Sequence, residues 1–189
     1  DPANARAVSK FAIILYDYGR TEEAKKLIEQ SFEKVPKHSL FRLHRLLGEY
    51  LNMERQYEKA YKEFETAIKL APQGNTPAVN ASMSELYLLS GDVLFELKQY
   101  DKSEEVLGKA REYAEKTRQG GDIALADEKL ADYYVTMATL SMRKKDMDKA
   151  DKYLKEAESI KSPDLKESNV GDVANIRAEW LMKKGKFMA

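Results

Sequence analysis

The chain's two histidines, His38 and His44, are its only side chains that change charge near neutral pH without help from their surroundings. Neither sits at a catalytic spacing. No His-Glu-x-x-His string occurs, and no glycine-rich run of the kind that cradles phosphate. Cysteine is absent, which removes disulfides, thiolate nucleophiles and cysteine-ligated zinc. Carboxylates pair at Glu22-Glu23 and Glu104-Glu105, but consecutive helical residues diverge by about 100°. Neither pair therefore converges on a substrate, and both are expected on solvated faces. Asp92 and Glu96 do share a face, yet two carboxylates hold a hard cation only weakly. Ser and Thr hydroxyls lack a nearby base. The expectation is a chain that is not an enzyme, with no catalytic residue, no metal and no cofactor.

The informative pattern concerns packing. Gly48, Ala60, Phe64, Ala67 and Pro72 stand at offsets that recur as Ala12, Ala24, Ile28, Ser31 and Pro36. They recur again as Gly91, Ser103, Leu107 and Ala110, and as Ala138, Ala150, Leu154 and Ala157, with Pro163 close by. Two small residues twelve apart are what a helix hairpin needs where its helices cross closely. A repeat of this length signals a stacked array of hairpins rather than a single-core globule. Each second helix opens with a carboxylate at one offset, Glu22, Glu58, Asp101 or Asp148. There it faces unpaired N–H groups at the positive end of the helix dipole.

Leu47-Gly48, Leu51, Tyr57, Ala60, Phe64, Ala67 and Pro72 resemble a tetratricopeptide repeat, whose pattern is a Trp, a Leu-Gly pair, an aromatic, then Ala, Phe and Pro. The resemblance covers almost the whole chain and is strongest over 41–74. It departs from the pattern at several sites: Phe11-Ala12 and Met137-Ala138 replace Leu-Gly, Ser103 replaces Ala, and Glu115 stands at a Pro site. Val8, His44, Tyr87 and Tyr134 occupy the Trp site. The resemblance implies an all-α, right-handed superhelical array of antiparallel hairpins, about nine helices in one domain over 1–189. Repeats fall at about 5–38, 41–74, 84–117 and 131–164, with 165–189 a capping helix or a fifth repeat cut short.

The spacing is uneven. Ala24 to Ala60 is 36 residues, Ala60 to Ser103 is 43 and Ser103 to Ala150 is 47, against a usual family period of about 34. Thr76-Pro77 and Gly120-Gly121-Asp122 supply caps and turns that place long first helices at about 77–98 and 122–145. This resembles the longer-period arrays of kinesin light chains and of bacterial regulators and sensors. At the amino end, Asp1-Pro2 reads either as the tail of a preceding repeat or as the cap of the first helix. At the other, Asp172 to Gly185 reads as a first helix, with Ala178 at the small site. Gly185-Lys186-Phe187 then begins a hairpin turn, which favours an excised fragment.

Composition excludes some partners. The 32 basic and 32 acidic residues cancel and are interspersed, so nothing suggests general attraction to nucleic acid or anionic lipid. The longest apolar run, Phe11–Tyr16, is too short to span a bilayer. A cysteine-free chain fits the cytoplasm and the periplasm equally.

In such an array the first helix of each hairpin lines the concave side. Helical phase directs Arg6 and Tyr16 there, then Arg42, Arg45, Glu49 and Asn52. Glu85, Leu88, Asp92, Phe95 and Glu96 follow, and then Asp132 and Met142. Basic residues gather at the amino-terminal end and acidic ones in the middle, with Tyr16, Leu88, Phe95 and Met142 as apolar anchors. The family's carboxylate-gripping Lys and Asn sites carry Ser9, Ile13 and Leu46 instead. The resemblance therefore implies a scaffold for a protein or peptide, here a basic or amphipathic segment. Alternatives are a sensory or regulatory segment of a larger bacterial signalling protein, and RNA binding, against which the acidic middle speaks. A homodimer through exposed terminal helices is a further possibility. Trp180 is expected to pack on the preceding hairpin.

Overall fold

The structure, a computed structural model, describes residues 4–160 and 167–187. These form nine α-helices and one 3₁₀ turn, with no strand among the described residues. The helices are α1 (Ala5–Asp17), α2 (Thr21–Ser31), α3 (Leu40–Met53), α4 (Tyr57–Leu70), α5 (Pro77–Glu96), α6 (Tyr100–Gln119), α7 (Ile123–Arg143), α8 (Met147–Ser159) and α9 (Glu167–Phe187). Consecutive helices pack as hairpins, α1 with α2, α3 with α4, α5 with α6 and α7 with α8, while α9 lies against α7 and α8. The all-α hairpin architecture is as expected.

Local chemistry sets the boundaries. Thr76 accepts from the Val79 amide with Pro77 at the first helical position, and Asp122 accepts from the Leu125 amide. Both long first helices therefore begin where the caps require. Asn4, not Asp1, caps α1, taking the amides of Arg6 and Ala7; Asp1 lies outside the described residues. The hairpins turn through one left-handed residue each, Gly19, Arg55, Lys98 and Lys145 (φ 74, 60, 59 and 64°). The following helix then begins two residues on, at Thr21, Tyr57, Tyr100 and Met147.

Packing follows the small-residue register. A β-carbon at Gly48 would stand 2.6 Å from Phe64 Cε1, and one at Gly91 would stand 2.5 Å from Leu107 Cγ. Ser103, in the place of the usual Ala, donates its hydroxyl to the Gly91 carbonyl at 2.8 Å. The hairpin thus closes through a buried hydrogen bond at its tightest crossing. His44 serves as the expected packing aromatic, its ring stacked on Phe32 at 4.5 Å with Nδ1 2.7 Å from Glu63.

The helices group into two compact units, Asp1–Gln73 and Gly74–Ala189, with the boundary in the Pro- and Gly-containing stretch 72–77. One expectation needs correction: the helix α9 continues through Gly185 to Phe187 instead of turning there. A helical Gly costs about 1 kcal/mol but does not stop a helix by itself, and no described second helix packs back to impose the turn.

Candidate functional site

In the first unit, α1 and α3 lie side by side. Arg6 and Arg42 are exposed, Arg42 over the ring of Phe41 at 5.0 Å. Arg45 and Glu49 sit four residues apart and pair with each other at 3.1 Å, so each is partly neutralised. Tyr16 is not a free anchor: its ring stacks on Tyr50 with centroids 4.5 Å apart. Burial pushes the Tyr50 phenol up to about 12, with Glu49, Asp17 and Tyr16 adding to it. Asn52 is partly buried.

In the second unit, α7 lies between α5 and α9, and the acidic residues of α5 and α7 come together. Asp92 keeps a little surface, yet burial raises its pKa to about 7, with Asp132 and Glu96 adding repulsion and a Thr136 hydrogen bond opposing it. Glu96 is exposed. Asp132 accepts from Asn169 Nδ2 at 2.6 Å and lies 3.9 Å from Lys129. Lys129 is itself buried; burial lowers its pKa, but Glu85, Glu128 and Asp132 together raise it further. The four carboxylates Glu85, Asp92, Glu96 and Asp132 thus share the neighbourhood with one buried ammonium. Among the described residues no three potential ligands form a metal site.

The apolar expectations fare differently. Leu88 is buried in the cluster of Leu107, Leu130, Tyr133 and Met137, and Met142 in that of Ala138, Leu154 and Trp180. Both serve the core rather than a ligand, because α7 covers the one and α9 the other. Phe95 stays half-buried, tilted against Tyr100 and capped by the Arg143 guanidinium at 5.9 Å from its centroid. Sequence reasoning missed Lys129, Thr136 and Asn169. Their signal was available: each lies within one helical turn of Asp132 or at the equivalent point of α9.

The carboxylate pairs behave as ion-pair partners. Glu23 pairs with Arg20 and Glu22 with Lys25, which also reaches Glu54 at 2.8 Å. Glu104 is a correction to the solvated-face expectation, since it joins Lys144 and Lys149 across the next hairpin. Those ammonium groups hold its carboxyl below the usual range. No described helix is long and apolar enough to cross a membrane.

Comparison with known proteins places this geometry. Residues 84–117 and 131–164 match the tetratricopeptide repeat family model. The matched segments fall on the hairpins α5/α6 and α7/α8, which are thus similar to tetratricopeptide repeats. No curated protein sequence matches the chain. Among solved structures, one described as the functional characterization of Pseudomonas aeruginosa pilF is 21% identical, covers 95% of this chain and 68% of its own, and superposes with a TM-score of 0.53. A structure of YrrB, described as a TPR protein with an unusual peptide-binding site, is 18% identical, with 84% and 87% covered and a TM-score of 0.46. At these identities the likeness to pilF establishes the fold.

Proposed function

We propose that the chain is a non-enzymatic peptide-binding scaffold whose acidic face, built by α5 and α7, takes a basic or amphipathic segment. The observation that supports this most is the electrostatic demand at Asp92. Burial first, and then repulsion from Asp132 and Glu96, disfavour its charged form, so a Lys or Arg side chain arriving at this face offsets the part of that cost that is like-charge repulsion. Glu96, exposed at the edge, provides the first encounter, and half-buried Phe95 offers an aromatic surface beside it. Glu85 and Asp132 extend the negative field along the face. In the first unit, taken by itself, Arg6, Arg42, Arg45, Glu49 and Asn52, with Tyr16, make a face of mixed charge.

A fluorescent peptide array binned by net charge tests the reading. Basic amphipathic peptides should bind, with affinity falling steeply between low and high salt. Glu96→Lys, at an exposed position that folding tolerates, should remove that binding. Unchanged affinity in Glu96→Lys and in Asp132→Asn would overturn the assignment of this face.

A further inference from the structure

The helix α5 contains no basic residue and closes on the exposed carboxylate of Glu96. A helix C-terminus already carries partial negative charge, and a carboxylate there adds to it. The end of α5 therefore favours a cation that α5 does not supply. Arg143, in the last turn of α7, supplies one. Its guanidinium carbon stands 5.9 Å from the centroid of the Phe95 ring, beside Glu96.

Two other cation–ring contacts of the second unit are locked in place. Arg177 lies over Trp180 at 5.2 Å, but Asp151 and Glu158 hold its guanidinium at 2.6 and 2.7 Å. Lys116 lies over Tyr113 at 4.6 Å and pairs with Glu112 at 2.7 Å. Arg143 is not locked. It is exposed, and no carboxylate among the described residues forms an ion pair with it. The ring beneath it is fixed, since Phe95 is half-buried and rests on Tyr100 with centroids 5.7 Å apart.

A cation held by a ring alone exchanges readily for another. An exposed contact of this kind is weak, and an arriving positive charge repels the resident one. The groups that favour Arg143 favour its replacement equally: Glu96 beside the ring, Asp92 one turn earlier and the carbonyl end of α5. Guanidinium suits the ring better than ammonium does, because it is planar, weakly hydrated and stacks on aromatic faces. Resting on the reading of the acidic face above, we propose that the Phe95 ring is a guanidinium seat, filled by Arg143 in the free protein and taken over by an arginine of the bound segment. Arg143 then acts as an internal competitor. It holds affinity down, and the preference of the ring for arginine shows fully only once Arg143 is removed.

Two amphipathic peptides, identical except that one carries arginine where the other carries lysine, test this by fluorescence anisotropy against the full chain at one ionic strength. Arg143→Ala should tighten the arginine peptide about two- to fivefold, and the lysine peptide by less. Lys98→Asn removes an exposed charge at the same end of α5 without uncovering the ring, so it should move both peptides alike. Phe95→Leu, added to Arg143→Ala, should bring the two peptides to equal affinity. Equal gains for both peptides in Arg143→Ala, or an arginine preference that survives Phe95→Leu, would overturn the seat. Glu96→Lys separates the seat from the acidic face itself. Binding of both peptides that survives Glu96→Lys counts against the face and the seat together. Binding that Glu96→Lys removes, with no arginine preference in Arg143→Ala, counts against the seat alone. No binding of either peptide to any variant would overturn both.

Discussion

The ring of Phe64 fills the space that a β-carbon on Gly48 would need, 2.6 Å from Cε1 and 2.8 Å from Cδ1. The same relation joins Gly91 to Leu107 across the next hairpin, again at distances no pair of carbons sustains. Since Phe64 and Leu107 have no exposed surface, neither can swing aside.

Gly48→Ala and Gly91→Ala should therefore destabilise the protein, although Ala is the better helix former. Overpacking costs about 1–3 kcal/mol, against about 1 kcal/mol gained in helix propensity. Gly108 provides the control, because it is helical and exposed with nothing near its missing β-carbon; Gly108→Ala should stabilise by about 0.5–1 kcal/mol. Thermal melts of the three variants check the contrast, and a stabilising Gly48→Ala would refute the close-crossing account.

Arg55, Lys98 and Lys145 hold left-handed backbone that costs a non-glycine residue about 1 kcal/mol. Replacing each by Gly should raise stability by a few tenths to about 1 kcal/mol, the gain being trimmed by the greater entropy of the unfolded chain. Gly19→Ala, at φ 74°, should have the opposite sign. Denaturant midpoints would show both.

Asp92 gives stability a pH dependence of definite sign. Its folded pKa of about 7 lies above its ordinary 3.8, so the folded protein holds this proton more tightly than the unfolded one. The contribution is full below about pH 4 and is lost as pH rises through about 7. The groups facing it are Glu96 on its own helix and Asp132 and Thr136 on α7, with Lys129 buried nearby. Asp92→Asn should remove that slope, matching the parent near pH 4 and exceeding it by about 1–3 kcal/mol at pH 8. Urea unfolding across this range would refute the assignment if the two curves ran parallel.

Trp180 reports the docking of α9. Buried and hydrogen-bonded to the Met147 carbonyl, it should emit to the blue of free tryptophan. Arg177→Ala removes the ion pairs to Asp151 and Glu158, and should shift the emission to the red as α9 loosens. Emission unchanged in that variant would mean that indole packing alone holds the helix.

Elements governed by neighbours in sequence were legible. Thr76-Pro77 and Asp122 gave helices over about 77–98 and 122–145, against 77–96 and 123–143 observed, because caps act within one turn. The small-residue register gave the hairpins, because helices that cross closely exclude a side chain at one fixed point. The acidic residues of the candidate face were legible as a group through helical phase alone.

Their electrostatics were not. That Asp92 is desolvated beside Asp132, forty positions away, follows only from the packing of α7 against α5. The fates of Leu88 and Met142 were decided in the same way, since phase places a residue on a side of its helix but does not say how far the neighbouring helix reaches over it. Sequence by itself determined which helices form and which residues pair within a hairpin, as these depend on local propensity and fixed offsets. Tertiary structure alone decided which carboxylates share one desolvated space, and which cation lies over Phe95, because both depend on how α7 packs against α5.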